Sequence, residues 1–251
     1  MQRLKKENQS KLELSYIIPV YFNQNNFDSL INLLKQYSKF DKGVLEKIEF
    51  VIIDDGSTIE LTIPENIVLN YQLIRIIDDI HWNIGGARNL GVVYAHSSKI
   101  IITDSDHFFP ENIIVDILKS KTPSNTLYKF KRTQFGKRIN SHTNTFYTSK
   151  QVFFSSLGYD EEFSGHYGLE DIYFVGLQKK VGNNIRYFTR LKTIESISEL
   201  TINNHSLIRD STYNQKIYDE KLKILKSRKY FLSHSRLFLN FDFNVVAQNW
   251  I

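Results

Sequence analysis

Four short apolar runs constrain this chain more than anything else in it: LSYIIPV (14–20), IEFVII (48–53), YQLIRII (71–77) and IIIT (100–103). Each has the length of a strand and stops at polar residues, as a strand ending in a loop does. Between the first two, Phe27, Leu30, Ile31, Leu33, Leu34 and Tyr37 recur at helical spacing, with Asn25 or Asn26 as the expected cap. Strand, helix, strand predicts a parallel sheet with helices on its faces, and in such sheets ligands gather at the carboxyl ends of the strands. Polar residues follow three of those ends, at 21–24, 54–57 and 104–106. They are expected to share one edge of one sheet.

Further along, residues 83–86 read as a glycine turn opening a helix over 87–97, and Pro110 as the start of another through Leu118. Residues 125–132 and 144–149 read as strands, separated by a basic and polar segment, 134–142. Glu170 and Asp171 open a helical pattern that runs to Lys180, a strand is expected over 185–188, and His205 lies in a polar loop at 199–209. Tyr213, Ile217, Tyr218, Leu222 and Leu225 predict an amphipathic helix over 212–228. The tail, 229–251, is rich in Phe, Leu and Asn, and packing on the domain is favoured over contact with a partner or a membrane surface. With no internal repeat and no low-complexity linker, one α/β domain over 1–251 is expected.

Composition narrows the class. A chain of 251 residues that is 41% hydrophobic and 24% charged can bury a full core. No apolar run approaches the roughly 20 residues of a membrane span, and the opening MQRLKKENQS has no apolar segment behind it, so neither a spanning helix nor a signal peptide is expected. The absence of cysteine excludes disulfides and thiolate metal sites. A net charge of +5 favours anionic partners: nucleotides, phospholipid surfaces or acidic glycans.

The residues at the strand ends suggest chemistry. Asp104 and Asp106 alternate along an extended segment, so their carboxylates fall on one side and repel unless a cation sits between them. Mg²⁺ or Mn²⁺ bridging the phosphates of a nucleotide suits that geometry. Asp54-Asp55-Gly56-Ser57 is either a plain turn or a carboxylate acceptor for a ring N–H or sugar hydroxyl. Gly85-Gly86 lets backbone approach a ligand closely, with Arg88 beside it suited to phosphate. Glu170 and Asp171 suit a helix start, and after the small-residue hinge at 165–168 they are also candidates for a general base. Neutral His205 is a candidate ligand for a Mn²⁺-type ion.

Taken together, IIPVYFN, VIIDDGST, NIGGARNLG, ITDSDHFFPE and GHYGLED resemble the nucleotide-sugar glycosyltransferases of the GT-A fold, chiefly family 2 and the related galactosyltransferase C-terminal module. The resemblance spans about residues 14–205 and implies a Rossmann-like, mixed but mostly parallel sheet flanked by helices. It implies base and ribose contacts at Pro19, Tyr21, Asp54 and Asp55, diphosphate and sugar contacts at Arg88 and Asn83, and metal and donor binding at Asp104 and Asp106. Asp171 matches the catalytic base, with Glu170 as its acceptor-binding partner. INNHSLIRDSTYN is similar to the galactosyltransferase segment that provides a third metal ligand, here His205. A donor half over 14–120, an acceptor and catalytic half over 121–210 and a helical, aromatic tail over 211–251 follow.

The expected activity is that of an inverting hexosyltransferase dependent on Mn²⁺ or Mg²⁺. It moves a hexose or N-acetylhexosamine from a UDP-sugar to a glycan hydroxyl in polysaccharide or surface-glycan synthesis. The expected place is the cytoplasm, with peripheral membrane contact and no nucleic-acid partner. The alternatives are a sugar nucleotidyltransferase, against which the loop YFNQNN lacks the glycine- and basic-rich sequence such enzymes carry after the first strand, and a non-catalytic glycan- or nucleotide-binding module.

Overall fold

The computed structural model describes residues 9–24, 26–189, 191–197 and 205–251. Strands β1 (Leu14–Val20), β2 (Ile48–Asp54), β3 (Asn70–Ile76) and β4 (Lys99–Ile102) form a parallel set in which β1 pairs with both β2 and β4, and β2 with β3. Every residue of β1 and β2 is buried, because helices cover both faces of the sheet. Alternation then sorts the side chains. Tyr16, Ile18 and Val20 join one core with helices α1 (Asp28–Tyr37) and α4 (Glu111–Lys119), while Ile17 joins Val51 and Ile53 in the other, under α3 (Ile84–Tyr94). A short α2 (Lys42–Leu45) precedes β2 and is capped by Asp41, whose Oδ1 accepts from Gly43 N at 2.7 Å.

The start of α3 departs from the sequence expectation. The helix begins at Ile84, so Gly85 and Gly86 lie within it rather than in a turn. Their smallness serves packing. A Cβ on Gly86 would stand 2.4 Å from Asn83 Oδ1 and 2.7 Å from Phe241, and one on Gly91 would stand 2.4 Å from Ile17 Cγ2. The cap of α1 is Phe27 rather than Asn26, which lies one residue earlier and whose Oδ1 accepts from Asp28 N at 3.2 Å; Asn25 lies outside the described residues.

The strand expected over 125–132 is two strands. β6 (Thr126–Lys129) belongs to the large sheet, and after the buried Phe130 the chain passes into β7 (Lys131–Gln134) of a second sheet. That sheet runs β5 (His107–Phe108), β11 (Thr193–Ser196), β7, β8 (Lys137–Ile139). The polar segment 134–142 therefore holds the turn and second strand of a hairpin, turning at Phe135 and Gly136, both with positive φ. β9 (Phe146–Ser149) returns antiparallel to β4, and α5 (Lys150–Phe154), α6 (Glu170–Lys180), β10 (Asn184–Tyr187) and α7 (Thr212–Lys226) follow. The tail adds β12 (Phe243–Asn249), antiparallel to β3. The large sheet thus runs β10-β6-β9-β4-β1-β2-β3-β12. Among the described residues, no helix is long and apolar enough to cross a membrane.

Candidate active site

The carboxyl ends of β1, β2 and β4 open on a cavity of about 880 Å³. Pro19 and Tyr21 line it after β1, Asp55 after β2, Asp104, Ser105 and Asp106 after β4, Arg88 from α3, Glu170 and Asp171 from α6, and His205 from the far wall. Nine of the eleven residues expected from sequence therefore meet in one place. Asp54 and Asn83 are not among its walls. Asp54 is taken up by its own turn, accepting from Ser57 N at 2.9 Å and from Arg75 Nη1 at 3.2 Å, and it faces a separate cavity of about 320 Å³. Asn83 precedes the first turn of α3, where its Oδ1 accepts from Ser164 Oγ at 2.8 Å.

Arg88 ties the halves of the site together. Its buried guanidinium donates from Nη2 to Asp104 Oδ1 at 2.6 Å and from Nη1 to Glu170 Oε1 at 3.4 Å, and it lies 5.2 Å from the centre of the Tyr159 ring. A residue expected on phosphate is thus held between two carboxylates, one at the end of β4 and one at the start of α6. Removing either acid would leave a buried cation short of a partner.

The start of α6 is set by a sharp turn. Gly168 and Leu169 both have positive φ, and Leu169 does so at the cost of about 1–2 kcal/mol that a left-handed side-chain-bearing residue meets. The turn places Glu170 and Asp171 in the first helical turn, where acids are favoured by the helix dipole. Burial pushes the Glu170 carboxyl up to about 7 against the pull of Arg88, with the negative charges of Asp171 and Asp104 adding to the rise. Asp171 is more exposed, and its Oδ1 accepts from Ile172 N at 2.7 Å.

Asp55 is the second perturbed acid: burial pushes it up to about 8. The nearby Asn83 amide offsets part of that rise, but neither Asp55 Oδ1 nor Asn83 Nδ2 makes a well-formed hydrogen bond among the described residues, which leaves a buried polar pair beside the cavity.

Asp104 and Asp106 each keep about a quarter of the side chain exposed on the same cavity. Burial alone would raise Asp106, but His107 beside it, then His142 and Arg132, outweigh that and hold it below the ordinary carboxylate range. The buried His107 has a readable tautomer. Arg132 Nη1 stands 2.9 Å from Nε2, and because arginine only donates, Nε2 accepts, so the proton sits on Nδ1, which lies 2.5 Å from Asp106 Oδ1. Two ionisable oxygen donors on one wall fit a hard divalent cation, which commonly binds through one or two carboxylates with diphosphate oxygens completing its shell. His205 stands apart from this pair. It packs edge-on to Trp82 at 5.1 Å, and among the described residues no group of three His, Asp or Glu side chains is arranged to hold a metal. Besides His107, the imidazole beside the acids is His142, with Nδ1 3.8 Å from Asp104 Oδ2.

His142, Gln134 and Asn144 also line the cavity, brought there by the hairpin, and nothing in the polar segment 134–142 distinguished them from a connecting loop. Trp82 is another lining residue without a sequence signal. Its Nε1 donates to Ile208 O at 3.0 Å and its ring meets Tyr167 at 4.7 Å, while Ser206 N donates to Asn23 Oδ1 at 2.8 Å, so the segment from His205 is held across the cavity.

The family model for glycosyl transferase family 2 matches residues 15–173, more than half of the chain and every strand that ends at the cavity. The chain belongs to glycosyl transferase family 2. It is a glycosyltransferase, and its mixed sheet flanked by helices is the GT-A fold. Among solved structures, TarS 1-349 of S. aureus in complex with UDP-GlcNAc is 15% identical, with a TM-score of 0.59 over 86% of this chain and 68% of that one. The mannosyltransferase PcManGT of Pyrobaculum calidifontis, in complex with GDP-Man and Mn²⁺, is 13% identical, with a TM-score of 0.51 over 88% of this chain and 68% of that one. The chain spans 40% of a longer TarS chain. No curated protein sequence matches.

Proposed function

We propose that this family 2 enzyme transfers a hexose or N-acetylhexosamine from a UDP-sugar to a glycan hydroxyl, with inversion and with a divalent cation, in polysaccharide or surface-glycan synthesis on the cytoplasmic side. One observation carries the reading: Asp104 and Asp106 share a cavity with Glu170 and Asp171, and Arg88 bonds the two sets together. UDP-GlcNAc and GDP-Man in the two similar structures support a nucleotide-sugar donor, and Mn²⁺ in the second supports the cation.

Asp171, the more accessible of the paired acids, takes the proton of the acceptor hydroxyl as that oxygen bonds to the anomeric carbon. The bond to the diphosphate oxygen breaks, the diphosphate leaves with the electron pair, and a single in-line displacement inverts the centre. Glu170, protonated for part of the time near neutrality, can donate a hydrogen bond to an acceptor oxygen. Asp55 and Tyr21 at the ends of β2 and β1 would hold the nucleoside. Asp104 and Asp106 would hold the cation, which when bound supplies positive charge opposite the leaving diphosphate.

The test is release of UDP or GDP from a panel of nucleotide sugars with Mn²⁺, in wild type and in Asp171→Asn. A positioned base contributes about 10²–10⁴-fold, so the variant should lose turnover by that factor and keep UDP affinity by calorimetry. Undiminished turnover removes Asp171 from the role of base. Synthesis of a nucleotide sugar from UTP and a sugar phosphate would replace the reading with a nucleotidyltransferase.

A further inference from the structure

Residues 230–238 invert the usual distribution of polarity. Ser233 and His234 are 2% and 5% exposed, while Phe231, Leu232, Leu237 and Phe238 on either side are 53%, 55%, 42% and 39% exposed. Polar anchors cause the inversion. Ser233 Oγ accepts from the Tyr173 hydroxyl at 2.8 Å, Ser233 O accepts from Lys221 Nζ at 2.9 Å, and Asp160 Oδ2 accepts from both Lys221 Nζ and Ser235 N, at 2.7 and 3.0 Å. The centre of the segment is pinned inward, so its apolar side chains are held in water. Large exposed apolar groups gathered in one short segment mark an interaction surface.

Charge says what covers it. Lys223, Lys226, Arg228, Lys229 and Arg236 are all exposed, and residues 222–241 contain no Asp or Glu. Basic side chains around protruding Phe and Leu match an anionic bilayer, whose headgroups pair with the charges while its acyl boundary takes up the apolar groups. An anionic polymer would use the charges and leave two Phe and two Leu side chains in water. We propose that residues 223–238 dock this enzyme on the surface of an anionic lipid membrane. The proposal is independent of the donor and acceptor assigned above, since it is read by binding rather than turnover.

Docking would also orient the cavity. Leu239 N and Asn240 N donate to the Glu161 carboxylate at 2.9 and 3.2 Å, and the same carboxylate accepts from Asn89, the neighbour of Arg88 on α3, at 2.8 Å. The docking segment is thus bonded to the frame of the site.

Cosedimentation of the full chain with vesicles tests this, comparing phosphatidylcholine alone with phosphatidylcholine and phosphatidylglycerol in equal parts. Binding is expected to the mixed vesicles, not to the neutral ones, and to weaken with salt. Each basic residue near such a surface contributes about fivefold, so Lys229→Glu with Arg236→Glu should lower binding by at least about tenfold. Phe231→Ser with Phe238→Ser should do the same. All four positions are exposed, and an unchanged urea midpoint verifies folding. Equal or absent binding to the two vesicle types overturns the proposal. So does loss in the charge variant alone, which points to a polyanion. A dimer in wild type that Phe231→Ser with Phe238→Ser dissolves would make the surface a self-association face instead, and equally overturns it.

Discussion

Asp106 and Asp55 show how much a single carboxylate here depends on what stands beside it. His107 Nδ1 lies 2.5 Å from Asp106 Oδ1 while Arg132 donates to Nε2 of the same ring, so a proposed metal ligand rests on an imidazole that is itself held from its other side. Partners of this kind are typically worth about 10- to 100-fold in metal affinity. His107→Phe is expected to weaken Mn²⁺-supported UDP binding by that range in calorimetry. Asp106→Asn should abolish the Mn²⁺ dependence itself, and unchanged affinity there would remove Asp106 from the metal site. Asp55 offers a pH test. An unfolded carboxyl titrates near about 4, and the folded one is pushed up to about 8 by burial. Between those values only the folded chain keeps the proton, so Asp55 makes stability fall as pH rises across that window and level off above it. Asp55→Asn should flatten the slope, measured by urea unfolding at several pH values.

At the scale of elements, the fit of α3 onto β1 is the tightest constraint. Ala is the better helix former, by about 0.5–1 kcal/mol over Gly, yet a Cβ at Gly91 meets Ile17 Cγ2 at 2.4 Å in the middle of β1. Overpacking costs about 1–3 kcal/mol, so the clash wins. Gly91→Ala should lower the urea midpoint, and because α3 carries Arg88, it should also weaken donor binding. The same element explains an error of reading. Glycines at 85 and 86 look like a turn in sequence, but they let the start of a helix pack closely on its own cap, Asn83, and on Tyr159 and Phe241, two partners that come from elsewhere in the chain. The hairpin β7–β8 was hidden for a related reason. A short polar strand pair has no buried face to impose alternation on the sequence, so His142 and Gln134 could not be placed at the site from local pattern.

For the whole molecule, the last strand matters most. β12 covers the edge of β3 along its length, and Ile251 N donates to Asn70 Oδ1 at 2.8 Å. Ending the chain after Asp242 would bare a row of backbone donors and acceptors on β3, and such edges seek other chains. The truncated protein is expected to unfold at lower urea and to run as larger species in size-exclusion chromatography; a stable monomer would show that the edge needs no cover. The parallel core, the order of its strands' polar ends and the acid pairs at 104–106 and 170–171 were legible in sequence, because burial on both faces writes continuous apolar runs and helix starts favour acids. What only the tertiary structure decided is which of those groups share a space. Arg88 lies between Asp104 and Glu170, Asp54 turns to Arg75, and His142 rather than His205 stands beside the acids. Each of these depends on contacts between residues from about 16 to more than 80 positions apart, set by how helices and hairpins pack on the sheet, and local periodicity carries no record of that packing.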